Sequence, residues 1–280
     1  MGKLSLGIND IGIGGALSLS CVVREVKRVS QVDIDLYSYH PSLFINNPLI
    51  VSSKYFTDDP SRVLSTPPML EQDRDKHYNY YYCKDIGIEP IDIHPEMYIT
   101  SYEKSHVRMI YDLPKEYIVL HAQPSNIHYE LGKTTRWTNT KDWYPERWEE
   151  VVKKMKMPVL QVRTKEEPYI HGCIDTLGTS IIQACAIIAQ AQLLIGCVSY
   201  SMHVAAATGT KAVVLYGGRE FPTQTGYPKR HMLLYSSMDC SPCYKTECEY
   251  RRVCMEKINV AHVTSAAEKA LQGKVGMVSI

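Results

Sequence analysis

The sequence has almost no net charge: 31 Lys plus Arg stand against 30 Asp plus Glu in 280 residues. A chain so balanced has no long-range field to draw in nucleic acid or an anionic membrane, so an anionic ligand must be held by local groups. No apolar run approaches the roughly 20 residues that span a bilayer. The longest candidate, Ile181 to Ile195, is interrupted by Gln183, Gln190 and Gln192 and reads as a buried helix and strand. Met1 to Asp10 has neither an extended apolar core nor a small-residue cleavage site, so no secretory signal is read there. The expectation is a soluble, cytoplasmic protein. A secreted disulfide scaffold is disfavoured because the cysteines number nine, an odd count. Five of them (Cys21, Cys83, Cys173, Cys185 and Cys197) are scattered and read as small buried hydrophobes. The 45% hydrophobic and 22% charged residues are ordinary for a globular chain, long enough for one large or two small α/β domains.

Leu4, Leu6 and Ile8 alternate as a strand does, a glycine-rich loop follows over residues 9–15, and Leu19, Val22, Val23, Val26 and Val29 recur at helical spacing. Val32, Ile34 and Leu36 alternate again, which makes a βαβ unit and implies a parallel sheet. In the middle, Ile86 to Ile93 and Met97 to Ile99 read as short strands, and the tyrosine run 78–82 as a strand or packed loop. The pattern resets at Asp112-Leu113-Pro114, the expected boundary between domains 1–113 and 114–280. Beyond it strands at 117–121, 159–162, 193–195 and 212–216 alternate with helices from Pro145, Ser180 and Ser201. Such alternation makes a doubly wound parallel α/β sheet, which binds ligands beyond the carboxyl ends of its strands. The loops after His121, Gly196 and Tyr216 are therefore expected to line one crevice.

Four cysteines are packed together, Cys240, Cys243, Cys248 and Cys254, with spacing C-x2-C-x4-C-x5-C. A tight C-x-x-C turn plus two nearby thiolates suits a tetrahedral four-sulfur site for structural zinc or iron, with no open coordination position. Two disulfides, or four reduced thiols under a loop, are the other readings of the same spacing.

The run from Ile195-Gly196-Cys197-Val198-Ser199-Tyr200-Ser201-Met202-His203 to Ala207, followed by Gly209 and Val213 to Gly218, resembles the signature of the heptosyltransferase-like glycosyltransferases. Thr140-Lys141-Asp142-Trp143 with Pro145 to Trp148, the stretch His40 to Pro48, and the cysteine cluster resemble further parts of that family. The resemblance covers most of the chain outside 57–115 and implies a GT-B architecture, two Rossmann-like domains facing a cleft. It implies an inverting glycosyltransferase that moves a sugar from an ADP-heptose-like nucleotide-diphosphate donor to an acceptor hydroxyl on a glycan, protein or nucleobase, without metal in the transfer itself.

Transfer requires stabilisation of the leaving diphosphate and removal of the acceptor's proton. For the first, the resemblance points to Lys141, Gly196, Ser199, His203, Gly217 and Gly218 as donor-binding residues; helix N–H groups near Ser201 would assist. Arg219 and Glu220 read as a surface ion pair. For the second, the family's Gly-Asp at the start of the first helix becomes Gly14-Gly15, without a carboxylate. Asp10, earlier in the same loop, is the candidate base. The family's Asp-Ser-Gly also becomes Val198-Ser199-Tyr200, so heptose specificity is not implied. These departures leave two rivals: a non-catalytic sugar-nucleotide-binding or scaffold protein of the same fold, and an interaction module working through the cysteine finger.

Overall fold

Apolar alternation in the first forty residues gives β1 (Lys3–Ile8), α1 (Ile13–Val29) and β2 (Asp33–Ser38). The computed structural model describes residues 2–9, 12–56, 60–123 and 140–280, together with the backbone of 127–130 and 133–136. Two further strands, β3 (Ser52–Tyr55) and β4 (Arg62–Leu64), complete a parallel sheet of order β3-β2-β1-β4. Asp35 on β2 is buried yet ionised. Lys3 at 2.7 Å, the Ser52 hydroxyl at 2.7 Å and Lys54 at 3.2 Å surround it, and the Lys3 bond above all lowers its carboxyl to about 2.

The tyrosine run forms neither strand nor loop but α2 (Tyr78–Asp85), whose N-cap is His77: its Nδ1 accepts from the N–H of Asn79 at 3.1 Å. The strands expected at 86–93 and 97–99 are irregular chain instead. Pro90 and Pro95 cannot donate to a ladder, and side chains of α1 take up the backbone groups. Arg24 donates to the carbonyls of Asp92 and His94, Arg28 to that of Glu89, and Glu25 accepts from the N–H of Ile91. Then α3 (Ser101–Tyr111) starts in a capping box between Thr100 and Glu103.

The second half contains β5 (Ile118–His121), an antiparallel hairpin of β6 (Ile127–Glu130) and β7 (Lys133–Arg136), and α4 (Pro145–Lys154) with its proline in the first turn. There follow β8 (Val159–Gln161), β9 (Ile174–Asp175), α5 (Ile181–Ile188), β10 (Leu193–Cys197), α6 (Tyr200–Thr208) and β11 (Ala212–Tyr216). The chain ends with α7 (Pro222–Thr225), β12 (Met232–Tyr235), α8 (Val253–Lys257), α9 (Val260–Leu271) and β13 (Gly276–Ser279). The sheet order is β13-β12-β11-β10-β5-β8-β9, parallel throughout. The order reverses beside β5 and β10, and a doubly wound sheet opens its ligand crevice at such a switch point.

One apolar core runs from Leu6, Leu17 and Val22 to Val119, Ile187 and Val204, so the two sheets share packing across α1 and α6. Arg108 on α3 donates to Gln190 Oε1 at 2.7 Å and Gln190 returns a bond to the Lys104 carbonyl, which seats α3 on α5. The opposite face of the second sheet buries Trp143 and Trp148 edge to face, ring centroids 4.5 Å apart. Both indole N–H groups are satisfied, Trp143 by the carbonyls of Met255 and Ile258 and Trp148 by that of Ala122. Among the described residues no helix is long and apolar enough to cross a membrane.

Candidate functional site

The carboxyl ends of β5, β10 and β11 lie side by side, because the three strands are neighbours in one parallel sheet. His121, the last residue of β5, pairs in register with Gly196 on β10. A Cβ on Gly196 would stand 2.5 Å from the His121 carbonyl oxygen, so only glycine lets these strands meet there. Ser199 occupies the N-cap of α6, yet its hydroxyl makes no capping bond. It lies 2.8 Å from His121 Nδ1 and 2.7 Å from the Ser201 hydroxyl, and Ser201 is itself 3.0 Å from the same nitrogen. On the far side of the ring, Nε2 faces Glu167 Oε1 at 3.7 Å.

Lys141 sits between β7 and α4, paired with Glu220 from the loop after β11. Glu220 is only 6% exposed, so the surface ion pair expected of Arg219 and Glu220 gives way to a buried one. Arg219 donates instead to the Tyr244 carbonyl. The two adjacent glycines serve close packing of protein on protein. A Cβ on Gly217 would collide with the Thr140 carbonyl oxygen, and one on Gly218 would lie 2.9 Å from Cys243 Sγ. The loop that carries Lys141 is thereby clamped: the Thr140 hydroxyl donates to the Lys245 carbonyl at 2.9 Å and Arg252 to the Asp142 carbonyl at 3.2 Å. Gly218 in turn accepts from the N–H groups of Cys243 and Tyr244. Lys141 is therefore presented by a frame whose other side is the cysteine finger.

His203 on α6 faces the first sheet's glycine loop. Its Nδ1 lies 2.7 Å from the Tyr227 hydroxyl, and a Cβ on Gly14 would stand 2.8 Å from its ring. Tyr78 completes this contact: it accepts from the Ser18 hydroxyl at 3.0 Å and meets His203 edge to face. His77 stacks on Tyr78 and lies against Tyr227, while Gln224 on α7 donates to the Met69 carbonyl. Burial, with smaller contributions from nearby positive groups, lowers His77, His203 and His231 each to about 3, so all three imidazoles are neutral at physiological pH. Asp10 lies outside the described residues. Gly14 and Gly15 open α1, and the ring of His203 occupies the space beside Gly14.

The four clustered cysteines line one cavity of about 320 Å³, together with Lys245 and Arg252. Among the described residues no group of three or more His, Cys, Asp or Glu is arranged to hold a metal ion. The chemistry of the donor set nevertheless fits one. Two backbone N–H groups, of Tyr250 and Arg252, point at Cys248 Sγ at 3.3 and 3.2 Å. Burial raises the Cys254 thiol, and the sulfurs of Cys248 and Cys240 raise it further, a repulsion that a cation between them would reverse. The scattered five are buried, as expected.

Sequence reading missed Glu167, Tyr227, His77 and the buried role of Glu220, and took His121 only as a strand end. Nothing local marks these residues, because they reach the crevice from different loops.

Two parallel sheets flanked by helices, the second with its switch point between β5 and β10, make a GT-B-type fold. The sequence profile of Glycosyltransferase family 9 (heptosyltransferase) matches residues 171–254, the segment that holds β10, α6, β11 and the cysteine finger. No curated protein matches the chain by sequence. Among solved structures, the chain superposes on ADP-heptose LPS heptosyltransferase II of E. coli with a TM-score of 0.71 at 14% identity, covering 97% of this chain and 99% of that one. A glycosyl transferase family 9 protein of Veillonella parvula gives 0.74 at 15% identity, covering 98% and 99%. TibC from enterotoxigenic E. coli, a dodecameric iron-containing heptosyltransferase solved with ADP-D-beta-D-heptose, gives 0.72 at 15% identity, covering 97% and 77%. The chain thus resembles heptosyltransferase-type glycosyltransferases in fold over nearly its whole length and in sequence over 171–254.

Proposed function

We propose that the protein is an inverting glycosyltransferase that takes a sugar from a nucleotide-diphosphate donor of the ADP-heptose type and transfers it to an acceptor hydroxyl. The observation that carries this reading is the Ser199 hydroxyl, turned away from the helix it should cap and held at the mouth of the switch-point crevice. Uncapped N–H groups and the helix dipole favour an anion at that end of α6. Lys141 would give the growing charge on the leaving diphosphate a cation, exchanging Glu220 for phosphate oxygen, and His203 would border the sugar. Gly196, Gly217 and Gly218 let the strands and loops of this wall close together. The acceptor would enter from the side of the first sheet, with Asp10 as the base; domains 1–113 and 114–280 then carry acceptor and donor. Cys240, Cys243, Cys248 and Cys254 would hold zinc or iron, whose part is to lock the finger that braces the Lys141 loop. A cytoplasmic setting, where nucleotide sugars and reduced thiols coexist, suits this reading.

A second reading has an observation of its own. Position 15 carries no carboxylate, and His203 fills the space beside Gly14. On that reading the crevice binds a sugar nucleotide and does not turn it over.

Incubation with ADP-, GDP-, UDP- and CDP-sugars, followed by mass spectrometry of released nucleotide, tests the proposal. Slow release from one donor, lost in Lys141→Ala, is the expected result. Normal release in Lys141→Ala would overturn the donor-site assignment, and tight binding of an intact donor without release would establish the second reading.

A further inference from the structure

The buried group behind Ser199 has no place in the mechanism so far. Glu167, 4% exposed, accepts one bond through Oε2, from the N–H of Thr164 at 3.2 Å. Its Oε1 is buried without a hydrogen-bond partner and faces His121 Nε2 at 3.7 Å. An ionised or neutral carboxyl left half-satisfied in the interior is costly, so its retention at this point asks for a state in which it is used. His121, 2% exposed, stands between that oxygen and the two serine hydroxyls.

Hydrogen-bond arithmetic distinguishes two states. With a neutral ring whose proton is on Nε2, Nδ1 is an acceptor and takes the proton of Ser199, the nearer hydroxyl at 2.8 Å against 3.0 Å for Ser201. With both nitrogens protonated, Nδ1–H donates to the serine oxygens, the buried Ser201 hydroxyl keeps its proton in the 2.7 Å bond to Ser199, and the Ser199 proton is free to point outward. Nε2–H then has Glu167 Oε1 as its partner. A neutral ring protonated on Nδ1 would also free the Ser199 proton, but it would turn the Nε2 lone pair on the Glu167 carboxylate, acceptor against acceptor, so the doubly protonated ring is the state that both offers the Ser199 donor to a diphosphate and gives Oε1 a partner.

We propose that His121 and Glu167 are positioning residues of the donor site: diphosphate binding draws a proton from solvent onto His121, Glu167 supplies the counter-charge, and Ser199 is thereby turned outward as a donor to phosphate oxygen. This deepens the nucleotide-sugar reading above and rests on it. Among the described residues the titratable groups that face the imidazole are Glu167 from the loop after β8 and Tyr200 at the start of α6, whose ring lies 5.1 Å from it edge to face. Burial pushes the Tyr200 phenol well above its ordinary value, with Cys185 and Glu167 adding to the effect, so it stays neutral. From β10 the neighbour is Gly196, which carries no charge. Glu167 is thus the group that can balance an imidazolium here.

The test is calorimetry of ADP-heptose binding to the full chain in buffers of different ionisation enthalpy, between about pH 7 and 8.5. The esterified diphosphate lacks the terminal phosphate proton that titrates near pH 6, so proton uptake reports the protein. The wild type is expected to take up close to one proton per donor bound, with affinity falling about tenfold per pH unit. Glu167→Gln is expected to bind more weakly and to lose that pH dependence. Long-range ¹⁵N spectra of His121 in the wild type, free and bound, decide the matter even if the variant fails to fold: both ring nitrogens protonated in the complex supports the proposal, one protonated overturns it. Binding without proton uptake overturns the proposal and leaves the donor site standing. No binding of ADP-heptose overturns the proposal together with an ADP-heptose-type donor.

Discussion

The two walls of the crevice are built differently. The wall of the second sheet is held by backbone: Gly217 against the Thr140 carbonyl, Gly196 against the His121 carbonyl, and the Lys141 loop bonded to the finger through the carbonyls of Lys245 and Asp142. The wall of the first sheet meets it through side-chain rings, with His203 against Gly14 and Tyr78, and His77 against Tyr227. Backbone cannot move aside for a ligand without unfolding its strand, whereas rings can change rotamer. One side is thus fixed by main-chain contacts and the other by ring contacts, a contrast that suits the proposed transfer if the first side holds the donor and the second admits an acceptor.

The largest effect that would break this contrast comes from Gly217→Ala. Its Cβ meets the main-chain oxygen of Thr140, whose hydroxyl is bonded to the finger, so a loss of about 3 kcal/mol or more in urea unfolding is expected. Next is Lys141→Ala, which removes a charge-assisted contact worth about 1.5–3 kcal/mol and should weaken nucleoside-diphosphate binding roughly ten- to hundredfold in a titration.

Lowering the pH acts on the buried histidines. His77, His203 and His231 titrate near 3 in the folded chain, against an ordinary value of 6.5. The unfolded chain therefore binds more protons between these values, and stability present above about pH 6.5 is lost progressively as pH falls toward 3. A thermal melting series should show this slope, and His203→Gln should flatten it in part. The smallest effect is expected from Gly14→Ala. The obstacle is a histidine ring with a hydroxyl partner rather than a main chain, so the cost should be about 1 kcal/mol, measured by the same unfolding curves.

Sequence and structure agree where one segment carries its own signal. The alternation of Leu4, Leu6 and Ile8, the helical spacing behind it, and Pro145 at the first turn of α4 all give the elements they imply. Ser199 and Lys141 likewise fall in the expected loops. The failures share a cause. Ile86, Ile88, Ile91 and Ile93 alternate like a strand, but Arg24, Arg28 and Glu25 of α1 satisfy that backbone instead, and no local rule foresees a helix reaching across. Tyr78 to Tyr82 read as a strand or packed loop, a strand being what β propensity favours, yet His77 caps them into a helix that buries Tyr82 and half-buries Tyr78 against α1. Glu167 went unmarked and Glu220 read as a surface ion pair with Arg219, because their partners, His121 and Lys141, lie on other loops.

On the proposed reading the loops that carry Lys141, Ser199 and Gly217 form a pre-built seat for a nucleotide diphosphate. Amide hydrogen exchange with and without ADP-heptose tests it most directly. The account predicts added protection confined to residues 140–142, 196–203 and 217–220, with the same segments already slow to exchange in the free protein. Protection confined to the cysteine finger or to the first sheet, or no protection at saturating donor, would contradict it.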